Sequence, residues 1–198
     1  MKQLNFPLNF KFKISSLAND FTATDASGNV VAYVRQKMFK FKEDIQIFSD
    51  TSRQDQIFRI KADRWLDFSA AYSFTDKEGK ELGKIARKGW ASLWKAHYEL
   101  IDQNQQLQYN IREENAWVKV LDGLLGEIPI VGMFTGYLFN PAYVVTSLDG
   151  QTVARLKKDP SLVGRRFTVS KLEEIDQDDQ ERIVLGLMMM ILLERRRG

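Results

Sequence analysis

The sequence predicts a mainly β protein, roughly a dozen strands wrapped as one sheet around a single apolar helix near the carboxyl terminus. Three observations predict it. Apolar and polar residues alternate with a period of two from Phe10 to about Ser170. One hairpin template recurs four times. The stretch Ile183–Leu193 contains no polar side chain.

The alternation is plainest in Phe10-Lys11-Phe12-Lys13-Ile14 and Phe39-Lys40-Phe41-Lys42. Ile45-Gln46-Ile47, Ile57-Phe58-Arg59-Ile60, Trp117-Val118-Lys119-Val120 and Phe167-Thr168-Val169 continue it. Successive strand residues point to opposite faces, so this pattern puts one face in a core and the other in water.

Each copy of the template opens on an aromatic residue: Phe21, Tyr72, Tyr98 and Tyr143. A turn former follows four positions on (Asp25, Asp76, Asp102, Ser147), then Gly28, Gly79, Gln105 or Gly150, and finally an aliphatic residue (Val34, Ile85, Ile111, Leu156). A strand, a tight turn with a left-handed position, and a returning strand make a β-hairpin. The copies start 51, 26 and 45 residues apart, which excludes a solenoid of fixed period.

The acidic and amidic run Asp176–Glu181 leads into the apolar stretch, and Glu194-Arg195-Arg196-Arg197 closes it. A helix that is apolar on every side must be buried on every side. Eleven residues span only about 16 Å, against about 30 Å of bilayer hydrocarbon, so a protein interior is the better host. We place the central helix at residues 179–194, with Asp178 or Asp179 as its cap, and read residues 1–198 as a single domain. A barrel of eight strands fills itself with side chains, whereas a larger one has a lumen that a helix about 10 Å across can occupy.

The hairpin series, the Tyr33-Val34-Arg35-Gln36-Lys37 stretch leading into Phe39-Lys40-Phe41-Lys42, and the apolar helix together resemble the LURP-one-related family. That family is grouped with the Tubby carboxyl-terminal domain and the phospholipid scramblases. The resemblance runs from about Phe21 to Leu193. It implies a closed antiparallel barrel of about twelve strands enclosing a central hydrophobic helix. It implies little about activity: Tubby domains bind phosphoinositides and scramblases act on phospholipids, but no Tubby phosphate-binding motif is matched residue by residue.

Composition narrows the function classes. The chain has no cysteine and a single histidine, His97, which excludes the usual zinc sites and serine or cysteine triads. The net charge of +3, many bases nearly balanced by acids, does not by itself indicate nucleic acid, which calls for a concentrated basic face. Asn5, Pro7, Asn9, Lys11 and Lys13 interrupt any apolar signal core, so we expect a cytoplasmic protein, peripheral to a membrane at most. The acidic run Asp176–Glu181 lacks the glycine and terminal glutamate of a calcium loop and suits a helix start. Met188, Met189 and Met190 point about 100° apart on a helix and cannot converge on one ion. No metal and no cofactor are expected.

Two features remain as contact surfaces. Lys11, Lys13, Lys37, Lys40 and Lys42 lie on or beside the outer face of strand candidates, and Lys157, Lys158, Arg165 and Arg166 form a second group. Brought together, they would make a patch for phosphoinositide heads or an anionic lipid surface. Kept apart, they are a solvated barrel exterior. The apolar excursion from Gly123 to Phe139, broken by glycines and Pro129, is either a plug for one barrel end or an exposed contact loop. The expectation is a non-enzymatic module that binds anionic phospholipid or a protein partner, without a transmembrane segment. The alternatives are scramblase-like phospholipid translocation and an enzyme or small-ligand binder using the barrel interior.

Overall fold

The computed structural model describes residues 4–13, 19–36, 44–63, 71–87, 97–114, 142–161 and 165–195. Twelve antiparallel strands form one closed barrel: β1 (Leu8–Phe12), β2 (Phe21–Thr24), β3 (Val30–Gln36), β4 (Asp44–Phe48), β5 (Gln56–Ala62) and β6 (Ala71–Asp76), then β7 (Glu81–Arg87), β8 (His97–Ile101), β9 (Leu107–Glu113), β10 (Ala142–Ser147), β11 (Thr152–Asp159) and β12 (Arg166–Lys171). Each strand pairs with its neighbours in sequence, and β1 closes the ring on β12 through Leu8↔Val169 and Phe10↔Phe167. The sequence segments Phe39–Lys42, Trp117–Val120 and Gly123–Phe139 lie outside the described residues.

The hairpin template has a direct structural meaning. Its first and last residues face each other across the strand pair in all four copies: Phe21↔Val34, Tyr72↔Ile85, Tyr98↔Ile111 and Tyr143↔Leu156. Each pair is buried in the lumen, aromatic against aliphatic, the kind of cross-strand contact that stabilises a sheet. The turn residue donates and accepts in the same way each time. In the third copy Asp102 N bonds Gln106 O at 2.9 Å, and Gln105 N bonds Asp102 O at 3.1 Å. The left-handed position falls where expected, at Gly28, Gly79, Gly150 and, without a glycine, Gln105 (φ 65°). A fifth hairpin joins β4 to β5 with a longer loop, closed by Ser49 N on Asp55 O, and Arg53 (φ 62°) takes its left-handed position.

These turns share one end of the barrel, and β12 also finishes there, so the following helix enters the lumen from the turn end. The helix, α1 (Gln177–Arg195), starts two residues earlier and ends one later than the sequence indicated. Its cap is Asp176 rather than Asp178 or Asp179. Asp176 Oδ1 accepts the Asp179 N–H at 2.8 Å, while Asp179 is turned toward the barrel wall. From Ile183 to Leu192 every apolar side chain is at most 3% exposed. Successive helix residues step by about 100°, so this burial means cover on all sides, which only the closed ring supplies. The methionine triplet belongs to that core.

At the mouth, Arg182 is 5% exposed and fully engaged. Its guanidinium donates to Leu82 O at 2.9 Å, to Gln103 Oε1 at 3.1 Å and to the Asp179 carboxylate. Asp179 in turn accepts the Tyr109 hydroxyl at 2.6 Å. Burial, then the adjoining carboxylate, pushes that phenol well above its ordinary range. Gly83 (φ 128°) makes room for this arrangement: a Cβ there would stand 2.4 Å from Ile101 O and 3.0 Å from Arg182 Nε. Lower down, Gly186 lets the helix approach β8, where a Cβ would meet Leu100 Cδ2 at 2.5 Å.

Candidate anion-binding face

Residues paired across antiparallel strands share a face of the sheet. Tyr33, Thr22, Lys11, Arg166 and Asp159 are successive partners across β3, β2, β1, β12 and β11, and so form one row on the outside of the barrel. Lys157 pairs with Thr168 in the neighbouring outer row. Lys13 follows Lys11 on the same face, its N–H on Asp20 O at 3.0 Å. Strands lie about 4.8 Å apart, so ring closure gathers Lys11, Lys13, Lys157 and Arg166 within the width of a few headgroups. Lys158 pairs with Phe167 and therefore falls on the lumen-facing side at the barrel's far end, and Arg165 lies just before β12 at that same end. Lys37, Lys40 and Lys42 lie outside the described residues.

Four bases elsewhere are engaged in ion pairs: Arg59 with Asp44 at 2.8 Å, Arg155 with Glu114 at 2.6 Å, Lys171 with Glu174 at 2.9 Å, and Arg182 with Asp179. Among the described residues, the side chains of Lys11, Lys157, Lys158, Arg165 and Arg166 make no ion pair and no hydrogen bond. Lys13 lies over the Tyr33 ring, 4.7 Å from its centroid.

The barrel is also polar along its axis. The turn end (residues 25–29, 49–55, 76–81, 102–106, 147–151 and 171–182) carries fourteen carboxylates against five lysines and arginines. The remaining described residues up to Leu193 carry thirteen lysines and arginines against seven carboxylates. The acidic residues of the turn end line an open depression of about 480 Å³ with Asp102, Asp176, Asp178 and Asp179 around Arg182. Asp102 is committed to its turn, accepting the N–H groups of Asn104 and Gln106 at 2.8 Å each. Those bonds, the one from Gln106 foremost, hold its carboxyl below the usual range against the opposing effect of burial.

Two polar residues of the basic face escaped sequence reasoning. Asp20 is 6% exposed and accepts the Tyr33 hydroxyl on Oδ2 at 2.7 Å. The signal lay in the template: the residues preceding its four aromatics are Asp20, Ala71, His97 and Ala142, and those preceding its four aliphatics are Tyr33, Lys84, Asn110 and Arg155. The same diagonal pair recurs in the third copy, with His97 Nε2 at 3.2 Å from Asn110 Oδ1. His97 is thus satisfied within its hairpin.

The molecule is a helix-cored, twelve-stranded antiparallel barrel. The sequence model of the LURP-one-related family matches residues 30–178, three-quarters of the chain, and the chain belongs to that family. The match runs from β3 into the first turn of α1 and leaves β1 and β2 outside. No curated protein and no solved structure matches the chain significantly.

Proposed function

We propose that this barrel is a non-enzymatic module that docks on anionic phospholipid through the outer face of β1, β12 and β11. The observation that carries the reading is the clustering of bases that make no ion pair among the described residues. Placing Lys11 and Arg166 side by side, with neither in an ion pair among the described residues, costs repulsion that an external anion relieves. The axial charge asymmetry supports the same orientation, because a negative leaflet attracts the basic face and repels the turn end.

Scramblase-like translocation would need α1 in the bilayer. Among the described residues no helix is long and apolar enough to cross a membrane, and α1 is covered on every side by its own barrel. The phospholipid reading is therefore that of a peripheral contact, and a protein partner with an acidic surface is its competitor.

Co-sedimentation with phosphatidylcholine vesicles, with and without an anionic phospholipid, tests the proposal. Wild-type protein pellets with the anionic vesicles. A Lys11→Glu/Arg166→Glu variant loses at least tenfold in partitioning, since each base near a charged leaflet contributes about 1 kcal/mol and reversal counts twice. Equal, negligible pelleting with both vesicles would sink the lipid reading.

A further inference from the structure

Asp20 Oδ1 is buried and has no hydrogen-bond partner among the described residues, although Oδ2 of the same carboxylate is satisfied by Tyr33. Buried polar atoms in native proteins are almost always paired, and an ionised carboxylate oxygen is among the costliest to leave bare. This orphan oxygen stands on the basic face. Lys13 lies beside it through the Lys13 N–Asp20 O bond, and Lys11 and Arg166 occupy the next outer row. Continuing the β2–β3 register one residue beyond Phe21↔Val34 also sets Arg35 across from Asp20. A bare acceptor is thus ringed by cations on three strands, and simple attraction of anions does not need it.

We propose that Asp20 is the acceptor half of a two-part headgroup site. Lys11, Lys13 and Arg166 hold a phosphodiester, and Asp20 Oδ1 takes a hydrogen bond from a hydroxyl or ammonium carried next to that phosphate. The inference rests on the phospholipid reading above and deepens it by naming the headgroup class: an anionic phospholipid with a donor beside its phosphate. Lys13 leaves the Tyr33 ring for the phosphate when the headgroup seats.

The test uses vesicles of equal charge that differ only in the donor, phosphatidylglycerol against phosphatidylmethanol, each mixed with phosphatidylcholine. The full chain prefers phosphatidylglycerol by roughly five- to tenfold, the worth of one charge-assisted hydrogen bond. Asp20→Asn, whose amide places a donor where a donor must be accepted, binds both vesicles alike. Wild-type protein that does not distinguish the two vesicles overturns the headgroup assignment while leaving anionic docking intact, and an Asp20→Asn variant that keeps the preference does the same. Protein that binds neither overturns both. If Asp20→Asn does not fold, the wild-type ratio decides by itself. Titration with free glycerol phosphate separates the sources: micromolar binding assigns the site to a soluble phosphate and overturns the lipid assignment, whereas no binding sustains it.

Discussion

Gly83 and Arg182 illustrate how one missing side chain decides the position of another. Gly83 sits at φ 128° against Ile101 O, and the space it leaves is filled by the Arg182 guanidinium. Gly83→Ala therefore meets backbone strain, a clash with a carbonyl and a displaced buried cation together. The expected cost is on the order of 2–4 kcal/mol, a fall of at least about 5 °C in Tm by thermal unfolding. Asp102 acts through pH. Its folded carboxyl is held below the ordinary range, so folding favours the ionised form. That stability is present above the unfolded carboxylate range and is lost as the pH falls through the folded value. Tm measured from neutral to acidic pH should drop less steeply for Asp102→Asn than for wild type. Asp102 was read as a turn former, which it is, but Arg182 belonged to no pattern, because its partners Leu82 and Gln103 lie 100 and 79 residues away in the chain.

Hairpins and helix were legible as elements, and for a physical reason. A hairpin is local: the turn, the left-handed position and the cross-strand pair all fall within fourteen residues, from Phe21 to Val34 for example. The β4–β5 hairpin escaped the template because its loop is longer and shifts the spacing, though Asp50 and Arg53 play the same parts. The one copy without glycine makes a prediction at this scale. Gln105 holds φ 65°, a region that costs a residue with a Cβ and is free for glycine. Gln105→Gly forfeits an exposed contact with Lys84 and relieves the turn, for a net gain of about 0.5 kcal/mol. A rise of roughly 1–2 °C in Tm is expected, and a fall would show that the Lys84 contact outweighs backbone relief.

Across the whole molecule, the clustering of charge was the part that sequence could not display. Lys11 and Arg166 become neighbours only because β1 meets β12, and no periodicity specifies which strand closes a ring. The two basic groups were identifiable as residues, and their union was a condition rather than a reading. Raising salt shortens the Debye length from about 10 Å at 0.1 M to about 3 Å at 1 M. Vesicle binding should accordingly weaken steeply over that range, with the charge-reversed variant showing a flatter slope; salt-insensitive binding would point to an apolar contact instead.

Ring closure also governs the order in which the protein can be completed. The final strand ends at Lys171, and the segment that fills the hollow comes after it. A nascent chain therefore holds eleven strands with two bare margins until β12 emerges, and a greasy, vacant interior until α1 follows. During synthesis that open ribbon is the form most exposed to sticking, to chaperones and to proteases, and the arrival of β12 and then α1 is what rescues it.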